Sequence, residues 1–155
     1  MINVKAIRQK IIDGLTERLA VEGQSIINQA ASNKTTLNRK MNEHDAYVYG
    51  VFYDGVLQKY GYVGSKLATE KAHGWVKNNI EPDYGRNWAT KAIKSFTPAT
   101  IKGYELVVLS TTFYSEINED RGYKVISQLM GEMQSLTDKF KGGKIRVINT
   151  RTDQL

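Results

Sequence analysis

The sequence predicts an α+β fold: a small antiparallel or mixed sheet packed by a long N-terminal helix and a C-terminal helix. Three observations carry this. Apolar residues recur every three or four positions over residues 3–31. Residues 46–53 alternate strictly, end at Asp54-Gly55 and return through 56–63. Ile126, Leu129, Met133, Leu136 and Phe140 then step by 3, 4, 3 and 4. The 155 residues suit a single domain, 1–155, with a sizeable core.

The first helix follows Val4, Ile7, Ile11, Leu15 and Leu19, extended by Ile26, Ile27 and Ala30. Asn3 is suited to cap it, because its side-chain oxygen can take an orphan N–H of the first turn. Its stripe is expected to face the core, although a helix this long should reach beyond a small domain. Gly14 and Gly23 each cost a helix interior about 1 kcal/mol relative to alanine. A break or kink is expected near Gly23.

Residues 32–45 are polar and basic and read as a loop. Tyr47, Tyr49, Val51 and Tyr53 then share one face of a strand, opposite Ala46, Val48, Gly50 and Phe52. Asp54-Gly55 is a favoured pair for a two-residue hairpin turn. Segment 64–102 reads as an insert or mobile excursion. It contains a short helix over 69–80, interrupted at His73-Gly74, and a second helix that starts at Pro82 and stops at Pro98. Tyr104 to Thr112 is β-rich and suits a central strand. The helix over 125–140 ends at Gly142-Gly143, and Ile145 and Val147 mark a last strand.

Composition narrows the function. With no cysteine, disulfides, thiolate metal sites and cysteine nucleophiles are excluded. No apolar run approaches the length of a membrane span, and no signal peptide or membrane partner is expected. The net charge of +6 is concentrated in the middle. Residues 32–102 hold eleven basic and six acidic side chains, against four and three before them and seven of each after. A positive middle suits an acidic neighbour, nucleic acid or protein, or a solvated face.

Motifs for chemistry are weak. Glu116, Glu119 and Asp120 follow a strand end and could bind a hard cation or act as a hydrolase site. Arg121 and Lys124 stand beside them as ordinary ion-pair partners, and the chain has only His44 and His73. Pro82-Asp83 with Glu105 suggests a metal nuclease, but Leu106 and Val107 stand where that pattern needs a lysine. No Gly-x-Ser-x-Gly elbow and no phosphate-cradling loop is present. The expectation is a non-enzyme with no metal, cofactor or catalytic residue.

A binding surface is better supported. Tyr60, Tyr62, Trp75, Tyr84 and Trp88 are interleaved with Lys59, Lys66, Lys71, Lys77, Arg86, Lys91 and Lys94. Aromatic and basic residues together can stack on bases and follow a phosphate backbone. A small nucleic-acid-binding protein using 59–94 is therefore the alternative reading.

The order of features resembles the tail-completion and head–tail connector proteins of tailed bacteriophages. A long helix is followed by Thr35-Thr36-Leu37-Asn38, although Thr36 stands where that family has glycine. Next comes AYVYGVFYDGVLQKYGYVG over 46–64, then KGYELVVLSTTFYSEINEDRGYKVIS over 102–127. Phe113-Tyr114-Ser115-Glu116 and Gly122-Tyr123-Lys124-Val125-Ile126 occupy the positions of the family's later landmarks. The resemblance implies a non-enzymatic subunit of the virion neck, made in the host cytoplasm. It implies a sixfold or twelvefold homo-oligomeric ring that contacts portal, adaptor or tail proteins and carries genomic DNA in its lumen without sequence specificity. Candidate interface residues are Tyr47, Tyr49, Tyr53, Asp54, Tyr60, Tyr62, Trp75, Trp88, Glu116, Glu119 and Arg121. The candidate polyanion contacts are the seven cations Lys59 to Lys94 named above.

Overall fold

The computed structural model describes residues 2–32, 47–63, 84–99, 101–111, 134–136 and 144–149. Along the chain these form α1 (Val4–Ser32), β1 (Tyr47–Tyr53), β2 (Val56–Tyr62), α2 (Tyr84–Ser95), β3 (Tyr104–Ser110) and β4 (Lys144–Asn149). The strands make one mixed sheet in the order β2-β1-β3-β4. β1 is antiparallel to both neighbours, whereas β3 and β4 are parallel. The α+β class read from the sequence is the class observed.

The hairpin forms as its turn chemistry requires. Asp54 and Gly55 both have positive φ, 48° and 80°, the conformation that matches the strand twist in a two-residue turn. Asp54 also fastens the hairpin to the start of β3. Its backbone N–H donates to Gly103 O at 2.9 Å. The Gly103 N–H donates to Asp54 Oδ1 at 2.7 Å.

Helices cover both faces of the sheet. On one face, Leu19, Ile26, Ile27 and Ala30 of α1 pack on Tyr47, Tyr49, Val51, Leu106 and Val108. On the other, Ala89, Ala92 and Ile93 of α2 pack on Val48, Phe52, Val107 and Leu109. The alternation in β1 therefore sorts its residues between two cores, and the strand is buried almost throughout. This corrects two candidate interface residues: Tyr47 and Tyr49, at 0% and 4% exposure, are core side chains beneath α1. Residues 84–95 of the expected excursion are likewise a structural layer, because Ala89, Ala92 and Ile93 are fully buried against the sheet.

A parallel β3–β4 pair needs a crossover connection. Within the intervening chain, residues 134–136 are helical, and Leu136 is buried in the α1-side core. The remainder of the expected helix over 125–140 lies outside the described residues.

Asn3 caps α1 as its type suggests: Asn3 Oδ1 accepts from the Ala6 N–H at 3.2 Å. The break expected near Gly23 does not occur, and α1 runs 29 residues without interruption. Gly23 instead permits a close approach. A Cβ there would lie 2.8 Å from the Tyr49 ring, which is also pressed against Gly61 on its other side. The missing side chain lets helix and sheet close over a large aromatic.

Candidate assembly surface

At 1.5 Å per residue α1 is about 43 Å long, roughly twice the span of a seven-residue strand. Its buried residues begin at Thr16. The first three turns thus project past the core, and their apolar side chains lie in the open. Val4 is 72%, Ile7 49% and Ile11 57% exposed. This corrects the sequence expectation for those three residues, whose stripe was read as facing the core.

A groove of about 320 Å³ runs between this projecting half and the end of the sheet. One wall is α1, with Val4, Ile7, Ile11, Ile12 and Leu15; the other is Tyr53 and Tyr104. Those tyrosines are register partners across β1 and β3, with ring centroids 4.7 Å apart. The Tyr104 hydroxyl donates to Ile12 O at 3.0 Å, tying the sheet end to the helix backbone. Burial pushes the Tyr104 phenol above its ordinary pKa. Arg8 closes the rim, donating from Nη2 to the Tyr53 hydroxyl at 3.5 Å. Val56 and Ile101, 61% and 79% exposed, flank the hairpin and the start of β3 at the same end. The surface is apolar, an arrangement that water does not favour on an isolated domain.

The aromatic and basic residues come together elsewhere. β2 is an edge strand, and Tyr60 and Tyr62 meet edge to face at 6.2 Å on its α2 side. Arg86 sits over the Tyr62 ring at 4.8 Å, and Lys94 over Tyr60 at 5.6 Å. Lys59 lies on the opposite face and pairs with Glu17 of α1 at 2.8 Å, a contact that raises the lysine's pKa. Lys91 is exposed on α2, and Trp88 is half-buried there.

Among the candidate interface residues, Tyr53 and Asp54 stand at the grooved end, and Tyr60, Tyr62 and Trp88 on the α2 side. Trp75, Glu116, Glu119, Arg121, Lys66, Lys71 and Lys77 lie outside the described residues. Sequence reasoning missed Tyr104, Arg8 and Ile12 as parts of one surface. Tyr104 was legible only as the start of a strand, and its pairing with Tyr53 is a matter of register. Among the described residues, no group of three or more His, Cys, Asp or Glu is placed to hold a metal ion. None of their helices is long and apolar enough to cross a membrane. Comparison with protein-family models, curated proteins and solved structures gives no match.

Proposed function

We propose that this chain is a non-enzymatic subunit of a phage virion neck, joining head to tail by assembling into a ring around the DNA channel. The observation that carries the reading is the projecting half of α1, where Val4, Ile7 and Ile11 lie exposed beside the Tyr53–Tyr104 wall. An exposed apolar surface of this kind gains free energy when another protein covers it. The sequence resemblance to head–tail connector proteins supplies the setting: a sixfold or twelvefold ring with portal, adaptor or tail proteins as neighbours.

Ring formation requires a heterologous contact that closes by rotation. The grooved end offers one side of such a contact, and the Asp54-Gly55 turn a rigid neighbour to it. The test is particle mass and negative-stain microscopy of the purified chain, alone and with portal. Rings support the proposal; a monomer under both conditions refutes it.

The alternative, a nucleic-acid-binding protein, is favoured by the positive middle of the chain. Three of its cations are already used within the chain. Arg86 and Lys94 cover the faces of Tyr62 and Tyr60 that a base would stack on, and Lys59 is paired with Glu17. The assembly reading therefore takes precedence.

A further inference from the structure

The groove has a charge as well as an apolar lining. Residues 2–12 hold Lys5, Arg8 and Lys10 and no acid. The first turn of α1 has no carboxylate, although the positive end of a helix dipole favours one there. Lys5 and Arg8 are exposed, and so is Lys102, which precedes Tyr104 by two residues. Arg8 is part of the lining, and its long bond to the Tyr53 hydroxyl engages one of its several N–H donors. The acids whose charge reaches Tyr104 are Asp13 and Asp54. Each already accepts a hydrogen bond within the chain, from Gln9 Nε2 at 2.8 Å and from the Gly103 N–H at 2.7 Å. The surface thus calls for an occupant that brings large apolar side chains together with carboxylates.

The chain has such a segment. Residues 112–120 read Thr-Phe-Tyr-Ser-Glu-Ile-Asn-Glu-Asp, with two aromatic rings, an isoleucine, three acids and no cation. They lie outside the described residues, but the point where they leave the fold does not. β3 starts at Tyr104, beside the groove, and finishes at Ser110, at the opposite end of the sheet. At about 3.3 Å per residue these ends are about 20 Å apart. Phe113 follows Ser110 by three residues, a reach of at most about 11 Å. The groove of its own chain is out of range, whereas that of another copy is not.

We infer that the groove receives residues 113–120 of the next copy of this chain. Phe113 and Tyr114 of that copy pack on Ile7 and Ile11, and its Glu116 and Glu119 face Lys5 and Arg8. The inference rests on the reading of the grooved end as an assembly surface and names the other side of that contact. Each copy gives a segment from one end of its sheet and receives one at the other. The contact is therefore heterologous, and a rotation between successive copies closes it into a ring. The incoming acids also neutralise cations that stand at the unfavourable end of the helix dipole.

Two classes of variant test this by mixing. Ile7→Asp/Ile11→Asp spoils the groove and keeps the segment. Glu116→Lys/Glu119→Lys spoils the segment and keeps the groove, and Phe113→Ser is an independent segment variant. Circular dichroism first shows each to be folded. Light scattering is then measured under the conditions in which the wild type assembles. Each variant alone should stay monomeric. A groove variant mixed with a segment variant should form a dimer of one copy each and nothing larger, because one good groove meets one good segment and both remaining ends are spoiled. Lys5→Glu/Arg8→Glu should weaken assembly several-fold, and adding Glu116→Lys/Glu119→Lys to the same chain should restore it. If the groove variant fails to assemble while both segment variants assemble like the wild type, the groove holds another protein or another part of this chain. That result, or a mixture without the dimer, overturns the inference and leaves the assembly reading standing. A wild-type chain that stays monomeric at every concentration, alone and with portal, overturns both.

Discussion

Tyr53 and Tyr104 face each other across β1 and β3 with ring centroids 4.7 Å apart, and the Tyr104 hydroxyl donates to Ile12 O. One aromatic pair thus joins the hairpin, the central strand and the projecting half of α1. The position of that half-helix depends on few other contacts, because the buried residues of α1 start only at Thr16.

Tyr104→Phe should therefore loosen the helix selectively. It removes a single hydrogen bond, and the expected loss is about 1 kcal/mol in urea unfolding. Hydrogen exchange should accelerate over residues 4–15 and stay unchanged over 19–31. Uniform acceleration along α1 would show that Tyr104 is not its anchor.

The two glycines of α1 should respond oppositely to alanine. Gly23→Ala places a methyl against the Tyr49 ring and is expected to cost about 1–3 kcal/mol. Gly14→Ala meets no atom of its own chain and should stabilise the monomer by up to about 1 kcal/mol. Thermal unfolding at low protein concentration reads both.

Stability should fall at alkaline pH. Burial raises the pKa of Tyr49 and Tyr104, and the hydrogen bond to Glu17 raises that of Lys59. In each case the folded state holds its proton more tightly than the unfolded chain. That contribution is complete below the ordinary values, near 10 for tyrosine and 10.5 for lysine, and is lost as pH rises through the folded ones. Urea midpoints should be level with respect to these groups from pH 7 to about 9 and decline towards pH 11. Tyr104→Phe should make that decline shallower.

Replacing Arg86 and Lys94 by Gln should leave binding to random-sequence DNA nearly unchanged and lower stability modestly, because both cations sit on tyrosine rings of their own chain. A large loss of salt-dependent DNA affinity would revive the nucleic-acid reading.

The hairpin, the capped first helix and the β3 strand were legible because each depends on local chemistry: Asp54-Gly55 for the turn, Asn3 for the cap, alternation for β1. What could not be read was which face meets what. Tyr47 and Tyr49 suggested an interface because tyrosine favours one, yet α1 covers them. Val4, Ile7 and Ile11 fitted the same three/four spacing as the core row, but the sheet ends before it reaches them. Gly23 suggested a kink by propensity, and only the nearby Tyr49 ring explains it. The candidate groove joins residues from three separate elements, so no spacing along the chain announces it.

The most direct test of the central claim is solution mass against concentration, by light scattering, for the wild type and for Ile7→Asp/Ile11→Asp. The wild type should assemble as concentration rises or when portal is added. The double variant should stay monomeric with unchanged circular dichroism, because both sites are already exposed in the monomer. A wild type that remains monomeric throughout, or a variant that assembles as well as the wild type, would contradict the account.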